Sequence, residues 1–346
     1  MPQLIQPLPD GPLDIIGDVH GELEALQQLL HRLGVDVERR TSARPVVFVG
    51  DLVDRGPDSV GVVEVVQRLM DAGIAYAVAG NHELNLLQEE HKEGNGWFYG
   101  DASDAAQLKD RAVVLQSVQA SDQNRPLLLE FFRRLPVVLR RDDVQVVHAA
   151  MDEDALALLP HAAELDTLTA SFARRIEADL QATGQWDQAE AEKAEFAGLR
   201  QHAVEPTRHL AAVGEVGSRK QAGNPVKLLT SGPELPVAPT KHFFAGGKWR
   251  FVYRDPWWSR WQGRPTVVGH YWRRRAPLTQ SLLLADFGHD RWCNKVFCID
   301  YSVGVRFDER SLGKTAAFSH ALAALRWPER VLQFDDTASP VPTLGF

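Results

Sequence analysis

Apolar residues fall into two rhythms over the first eighty positions. Leu13, Ile15 and Ile16 form a short apolar run that stops at Gly17, and Leu23, Leu26, Leu29, Leu30 and Leu33 follow at helical spacing. Val46, Val47, Phe48 and Val49 make a continuous run ending at Gly50, as expected of a strand buried on both faces. Asp58 is placed to cap a second helix, whose inner face carries Val62, Val65, Val66 and Leu69. Ile74 to Val78 reads as a third strand, ending before Gly80. Strands alternating with helices predict a parallel sheet with right-handed crossovers, and in such sheets ligands sit beyond the carboxyl ends of the strands.

The rest of the chain is less regular. From Leu84 to about Pro136 the pattern is helical and broken, and Val144 to Val147 then reads as a strand running into His148. Asp152 to Glu205 is rich in Ala and Glu without an obvious strand, and 214–242 is rich in Gly, Pro and Lys. The first stretch predicts helices and the second a loop or lid. Thr266 to Val268 runs into Gly269-His270, Ser281–Ala285 and Val296–Ile299 read as closing strands, and Ala316 to Leu325 as a last helix. The expected fold is α/β, one domain over 10–346 with a helical and loop insertion at 150–245. No internal repeat is visible.

Composition narrows the partners. Of 346 residues 44% are hydrophobic and 24% charged, ordinary for a globular protein, and the formal charge of −8 argues against non-specific nucleic-acid binding. Two cysteines, Cys293 and Cys298, are few for a disulfide framework and favour a reducing compartment. Met1 to Asp10 lacks a basic segment followed by an apolar run, and no stretch of 18 apolar residues follows. A cytoplasmic protein without membrane or stable nucleic-acid partners is the expectation; oligomeric state is not legible.

Each early strand ends in a cluster of polar side chains. These are Gly17-Asp18-Val19-His20-Gly21, Gly50-Asp51-Leu52-Val53-Asp54-Arg55-Gly56 and Gly80-Asn81-His82-Glu83. Asp18 and His20 alternate along an extended chain and so face one way, with Val19 facing the other. Asp51 suits a carboxylate bridging two cations, and Asn81 offers a neutral carbonyl oxygen. His148 and His270 each follow a buried strand and can reach the same rim. The ligand set is then Asp18, His20 and Asp51 for one metal, and Asp51, Asn81, His148 and His270 for a second. Mixed nitrogen and oxygen donors without thiolate suit Mn, Fe or Zn, and two such ions about 4 Å apart can activate a water. Gly17, Gly50, Gly80 and Gly269 precede ligand residues and permit close backbone approach. Taken singly, each motif has an ordinary structural explanation: a turn, or a partly buried histidine. Three glycine-flanked clusters after three successive strands are hard to obtain by chance.

These motifs resemble the signature of the calcineurin-like metallophosphoesterases, and Asp54-Arg55-Gly56 resembles the bacterial phosphoprotein-phosphatase (Ser/Thr phosphatase-like) branch. Leu135-Pro136, Val146-Val147-His148-Ala149, Gly269-His270 and Gly94-Asn95-Gly96-Trp97-Phe98 continue the likeness, which anchors about 17–148 and 250–300. The resemblance implies a four-layer sandwich of two mixed sheets flanked by helices. It also implies Asp18, His20, Asp51, Asn81, His148 and His270 as metal ligands, with manganese foremost and iron or zinc as alternatives. His82 would be the general acid, oriented by Asp54, because an imidazole beside a carboxylate is held in one tautomer. Arg55 would grip phosphate as a planar fork. A second phosphate arginine is expected between the late histidines, Arg254 first and Arg264 as alternative.

The chain departs from the family in having Ala149-Ala150 where two glycines usually follow the histidine, and in lacking the C-terminal loop motif of the eukaryotic enzymes. Cys298-Ile299-Asp300-Tyr301 instead resembles the closing strand of bacterial members. Five tryptophans, Trp249, Trp257, Trp258, Trp261 and Trp272, read either as an aromatic wall for a nucleobase or aryl phosphate or, preferred, as a hydrophobic seam. Arg273-Arg274-Arg275 reads as a further phosphate contact or, preferred, a solvated run. His289 is a possible extra ligand, more simply a core or surface histidine. The expected activity is metal-dependent phosphomonoester hydrolysis by direct attack of a water activated by two metals. The expected substrate is phosphoserine or phosphothreonine in proteins, or a small phosphoester. The alternatives are a dinucleoside polyphosphate (diadenosine tetraphosphate) hydrolase and a catalytically silent metal-binding scaffold.

Overall fold

Successive residues of the predicted strands point into different cores. Val47 and Val49 join Leu13, Ile15, Val146, Val267, Phe297 and Ile299 in one buried cluster, while Val46, Phe48, Ile16, Val147 and Val268 join helix residues such as Leu26, Leu29, Val62 and Val66 in another. The first cluster draws on two sheets and is the layer between them. The second lies between the sheets and their helical covers. This is the four-layer arrangement of two mixed sheets flanked by helices. It is seen in a computed structural model that describes residues 1–346 apart from 93, 101–116, 197, 246, 274–290 and 338.

The strands are β1 (Ile5–Pro7), β2 (Leu13–Ile16), β3 (Val46–Phe48), β4 (Ala75–Ala77), β5 (Val138–Arg140) and β6 (Gln145–Val147), followed by β7 (Glu234–Pro236), β8 (Phe243–Ala245), β9 (Lys248–Arg250) and β10 (Val252–Arg254). The chain closes with β11 (Thr266–Val268), β12 (Val296–Cys298), β13 (Ala323–Trp327), β14 (Val331–Phe334) and β15 (Val341–Pro342). One sheet has the order β15-β14-β13-β2-β3-β4, in which β2, β3 and β4 are parallel, with Ile15 opposite Val47 and Val47 opposite Tyr76. The other has the order β1-β5-β6-β11-β12, in which β6, β11 and β12 are parallel, with Val267 opposite both Val146 and Phe297. Parallel pairing sends the carboxyl ends of β2, β3 and β4 to one rim, and those of β6, β11 and β12 to another. The rims meet: a Cβ on Gly17, after β2, would collide with the carbonyl of Ile299, after β12.

Helices α1 (Leu23–Leu33), α2 (Ser59–Asp71) and α3 (Asn81–Leu87) follow the three early strands. The Asp58 side chain accepts from Gly61 N at 2.7 Å, so the expected cap of α2 is present. Three sequence expectations need correction. The last helix, expected at Ala316–Leu325, is instead the approach to β13, which pairs antiparallel with β2. Ala323 and Leu325 face the layer between the sheets, while Leu322 and Ala324 face the outer core. A strand buried on both faces reads as an unbroken apolar run, which periodicity does not distinguish from a buried helix. The loop expected at 214–242 contains two helices, Ala211–Ala222 and Pro225–Ser231. Gly214 there serves close packing, since a Cβ would lie 2.7 Å from Phe251 O. The stretch 150–245 is also not purely helical, because β7 and β8 fall within it. The strand expected at Ser281–Ala285 lies outside the described residues. Among the described residues no helix is long and apolar enough to cross a membrane.

Candidate metal centre

The joined rims gather the strand-end side chains. Asp18, His20, Asp51, His148 and His270 are buried and Asn81 is partly so. Val19 N and His20 N both donate to Asp51 O, at 3.0 and 2.9 Å, tying the first cluster to the second. His270 N donates to Asp18 Oδ2 at 3.0 Å, bringing in the last histidine from the other sheet. The space is tight: a Cβ on Gly269 would strike the Asp18 carboxylate, and one on Gly80 the Asp51 carboxylate. His20, Asp51, Asp54, Arg55, His270 and Trp272 all have positive φ without being glycine. Such strain persists only where surrounding contacts over-determine it, and it clusters at functional sites.

Asp51 is the hub. Its Oδ2 lies 3.2 Å from His148 Nε2 and 3.9 Å from both His20 Nε2 and His82 Nε2. Asn81 Oδ1 lies 3.2 Å from His148 Nε2 and 2.8 Å from His270 Nδ1. Two groups of ligand atoms therefore lie within 4.8 Å of one another, His20–Asp51–His82 and Asp51–His148–His270, and they share Asp51. The second group, with Asn81, comprises the residues expected for one ion. In the first, His82 stands where Asp18 was expected; Asp18 Oδ2 is 3.9 Å from His20 Nε2.

These residues fit divalent cations. His20 Nδ1 donates to Val53 O at 3.1 Å, which leaves Nε2 bare, buried and without a hydrogen-bond partner. His148 Nδ1 donates to Val49 O at 2.7 Å and turns Nε2 toward Asp51. A ring N–H anchored on a carbonyl, with the other nitrogen facing carboxylates, is the arrangement of metal-ligating histidines. Burial, then the Arg55 charge, holds His20 well below the usual histidine range, and burial and Arg254 do the same for His270, so both are neutral as ligation requires. Four acids crowd here. Burial and the Asp300 and Asp51 charges push Asp18 well up, and burial raises Asp300. Burial and Asp51 lift Glu83 to about 7. Asp51 alone stays well below the usual range, because His148, His82 and His20 outweigh its burial. Burial opposes charge on His148, yet Asp51 raises it to about 10. Packed carboxylates of this kind call for cations.

Beside this hub His82 Nδ1 meets Asp54 Oδ2 at 2.6 Å, and the other Asp54 oxygen accepts from Trp97 Nε1 at 2.6 Å. Asp54 is fully buried. Arg55 extends from the same turn, its N donating to Gly94 O at 2.8 Å and its guanidinium 4.3 Å from the ring centroid of Trp272. Arg254, at the end of β10, lies 5.6 Å over the ring of Tyr271, next to His270. Arg264 is elsewhere, 3.5 Å from Gln145 Oε1 at the start of β6, the end remote from His148. Neither Arg55 nor Arg254 makes an ion pair with a carboxylate among the described residues.

Residues 11–163 match the family model described as calcineurin-like phosphoesterase. Over that stretch, under half of its length, the chain is similar to this family. Its matched stretch contains Asp18 to His148, whereas Arg254, His270 and Trp272 lie beyond it. The bis(5'-nucleosyl)-tetraphosphatase PrpE (asymmetrical) of Oceanobacillus iheyensis is 34% identical over 150 residues, covering 41% of this chain and 57% of its own. That of Halalkalibacterium halodurans is 44% identical over 150 residues, covering 41% and 58%. The chain thus spans a little over half the length of these relatives. A solved protein serine/threonine phosphatase of Saccharomyces cerevisiae aligns with 100% of this chain and 85% of its own at 13% identity, with a TM-score of 0.47.

Three residues around the candidate metal centre carry no role in the sequence reading. Glu83 accepts from Gly80 N, Asp51 N and Leu52 N at 2.8, 2.9 and 2.7 Å, clamping the start of α3 to the turn after β3. Its signal was its position three residues after the Gly80 cap. Trp97 holds Asp54, and Asp300 accepts from Trp272 N and Ser302 N, both at 2.7 Å. Nothing in the chain pattern marks either partnership. Ala149 N and Ala150 N donate to Leu229 O at 2.9 and 3.3 Å, so the two alanines seat the insertion helix on the His148 turn. Trp257 and Trp258 are buried in the core, as expected of a seam. Arg273 is buried as well, donating to Cys298 O and Arg291 O at 2.6 Å, and so is neither solvated nor a phosphate ligand. Arg274, Arg275 and His289 lie outside the described residues.

Proposed function

We propose that this chain hydrolyses phosphoesters at a dinuclear centre held by Asp18, His20, Asp51, Asn81, His148 and His270, with dinucleoside polyphosphates as substrate class. The observation that carries hydrolysis is the convergence of His20, His82 and His148 on one buried oxygen of Asp51. Asp54–His82 and two arginines without carboxylate partners among the described residues border that point. When bound, two divalent ions supply Lewis-acid activation of water and neutralise phosphate charge. The protein's own groups do the rest. Asp54 accepts a hydrogen bond from His82 Nδ1–H and so orients the ring; its Nε2 faces the centre and, when it carries a proton, can hand that proton to the departing oxygen. Arg55 and Arg254 orient the phosphate and stabilise charge developing on its oxygens. A dinucleoside polyphosphate moves ahead of phosphoprotein because the curated relatives are named bis(5'-nucleosyl)-tetraphosphatases. This reverses the order in which the motifs alone placed the two.

Turnover of diadenosine tetraphosphate and of a phosphoserine/phosphothreonine peptide panel is to be compared with Mn²⁺, in wild type and His82→Asn. The expected result is preference for the dinucleotide and loss in the variant. Preference for phosphopeptides by orders of magnitude in kcat/KM would remove the dinucleotide reading. An absence of turnover with any substrate, metal or pH would leave the silent scaffold.

A further inference from the structure

Trp272 differs from the other tryptophans near the late histidine. Its neighbours Tyr271 and Arg273 are buried at 2% and 1% exposure, yet Trp272 is 40% exposed. Its outward stance is built. His270 and Trp272 have φ of 68° and 47°, a left-handed conformation that bulky residues adopt only under constraint. Asp18 holds the His270 N–H, Asp300 holds the Trp272 N–H at 2.7 Å, and the Arg273 side chain turns inward over Phe297. The chain thus spends two strained residues and a buried carboxylate to set one indole at the mouth of the site. The indole lies over Arg55, with 4.3 Å from ring centroid to guanidinium carbon. One face of the ring is therefore occupied by the group that would hold phosphate. The remaining exposed surface lies immediately beside it.

We propose that Trp272 is the base-binding platform of the site: a purine nucleotide whose phosphate is gripped by Arg55 stacks its nucleobase on the open indole. An aromatic surface adjoining an arginine fork matches the two ends of a nucleotide, an anion and a planar ring. Any phosphoester satisfies Arg55, but only one with an aromatic group gains from Trp272. The indole therefore favours nucleotides over phosphoserine or phosphothreonine. This deepens the dinucleotide reading and rests on it for the biological substrate; the stacking itself can be tested without turnover.

The test uses Mn²⁺-loaded protein in the His82→Asn background, which keeps the ligands uncleaved, and measures AMP and ribose 5-phosphate by calorimetry. The two share ribose and phosphate and differ in the base. AMP is expected to bind about tenfold or more tightly than ribose 5-phosphate, a ratio that Trp272→Ala collapses toward one and Trp272→Phe largely keeps. Equal affinities before mutation, or a ratio that survives Trp272→Ala, overturn the platform. A parallel loss of both ligands in Trp272→Ala also overturns it and leaves the indole as a prop for Arg55. Diadenosine tetraphosphate turnover by the unmutated protein separates the two readings. Base-dependent binding without tetraphosphate cleavage removes the substrate and keeps the platform, whereas cleavage with no base preference does the reverse.

Discussion

Replacing Trp97 with Phe should damage catalysis through a residue that touches neither metal nor phosphate. Trp97 is 1% exposed and its Nε1–H is the partner of one oxygen of the fully buried Asp54, whose other oxygen holds His82. Phe keeps an aromatic ring in the core but removes the donor, leaving a buried carboxylate oxygen without its partner. A hydrogen bond to a charged group is worth about 1.5–3 kcal/mol. At about 2.1 cal/mol/K of unfolding entropy per residue, a chain of 346 residues shifts by roughly 1.4 °C per kcal/mol, so Tm should fall by about 2–4 °C. The kinetic effect has a distinct signature. With one anchor gone Asp54 can rotate, and the Nδ1 contact that sets the His82 ring loosens. Proton delivery should therefore suffer most where the leaving oxygen is basic. The assay is kcat across phosphate esters of graded leaving-group pKa, at saturating Mn²⁺ and at a temperature where the variant is folded. Alkyl phosphates should slow by about tenfold or more, and p-nitrophenyl phosphate by much less. Equal slowing across the series, or an unchanged Tm, would refute the chain of reasoning from Trp97 through Asp54 to His82.

Arg254→Ala should lower kcat/KM by about tenfold to a hundredfold through loss of a charge-assisted phosphate contact, while Arg264→Ala should change it less than about twofold; steady-state kinetics on one substrate decides between them. Gly269→Ala should weaken metal binding more than folding, because the added Cβ meets the Asp18 carboxylate; metal content after dialysis against a chelator, alongside Tm, checks this. His148 should make metal affinity depend on pH. Burial opposes its charge, but Asp51 lifts it from 6.5 to about 10 in the metal-free protein. A raised folded value stabilises the metal-free fold fully below pH 6.5, and that contribution disappears as pH rises through about 10. A metal ion must displace this proton, so Mn²⁺ affinity should climb with pH through the same window, with proton release detectable by calorimetry in buffers of different ionisation enthalpy. A pH-independent affinity would contradict the Asp51–His148 coupling.

The parts of this molecule that a sequence reader can see are those governed by local rules. Val46 to Val49 and Ile74 to Val78 announce buried strands because both faces are apolar, and Asp58 announces a helix start because its side chain completes a cap. The ligands are legible for the same reason: each follows its strand directly, so strand order carries it to the rim. β13 was misread as a helix because a strand with two buried faces carries no alternation. Trp97 and Asp300 were missed as site residues for a different reason. Their partners are fixed by how separate segments pack, 43 residues apart between Trp97 and Asp54 and 28 between Trp272 and Asp300. No periodicity encodes that.

In the proposed reading, chemistry and choice of substrate would come from different parts of the chain. Asp18, Asp51, Asp54, Arg55, His82 and His148 all lie within the 153 residues from 11 to 163 that match the phosphoesterase family model, and in the proposed roles they would hold metals, donate a proton and grip one phosphate. The groups that would tell one phosphoester from another lie outside that span. Arg254 ends β10, which pairs with β7 of the insertion opposite Glu234, and Trp272 hangs from a turn pinned by Asp300. The two regions are mechanically joined, because His270 is both a candidate ligand and the start of the strained turn that lifts Trp272 beside Arg55. A change in that turn would therefore move a metal ligand and the aromatic surface together, which ties substrate fit to the integrity of the centre.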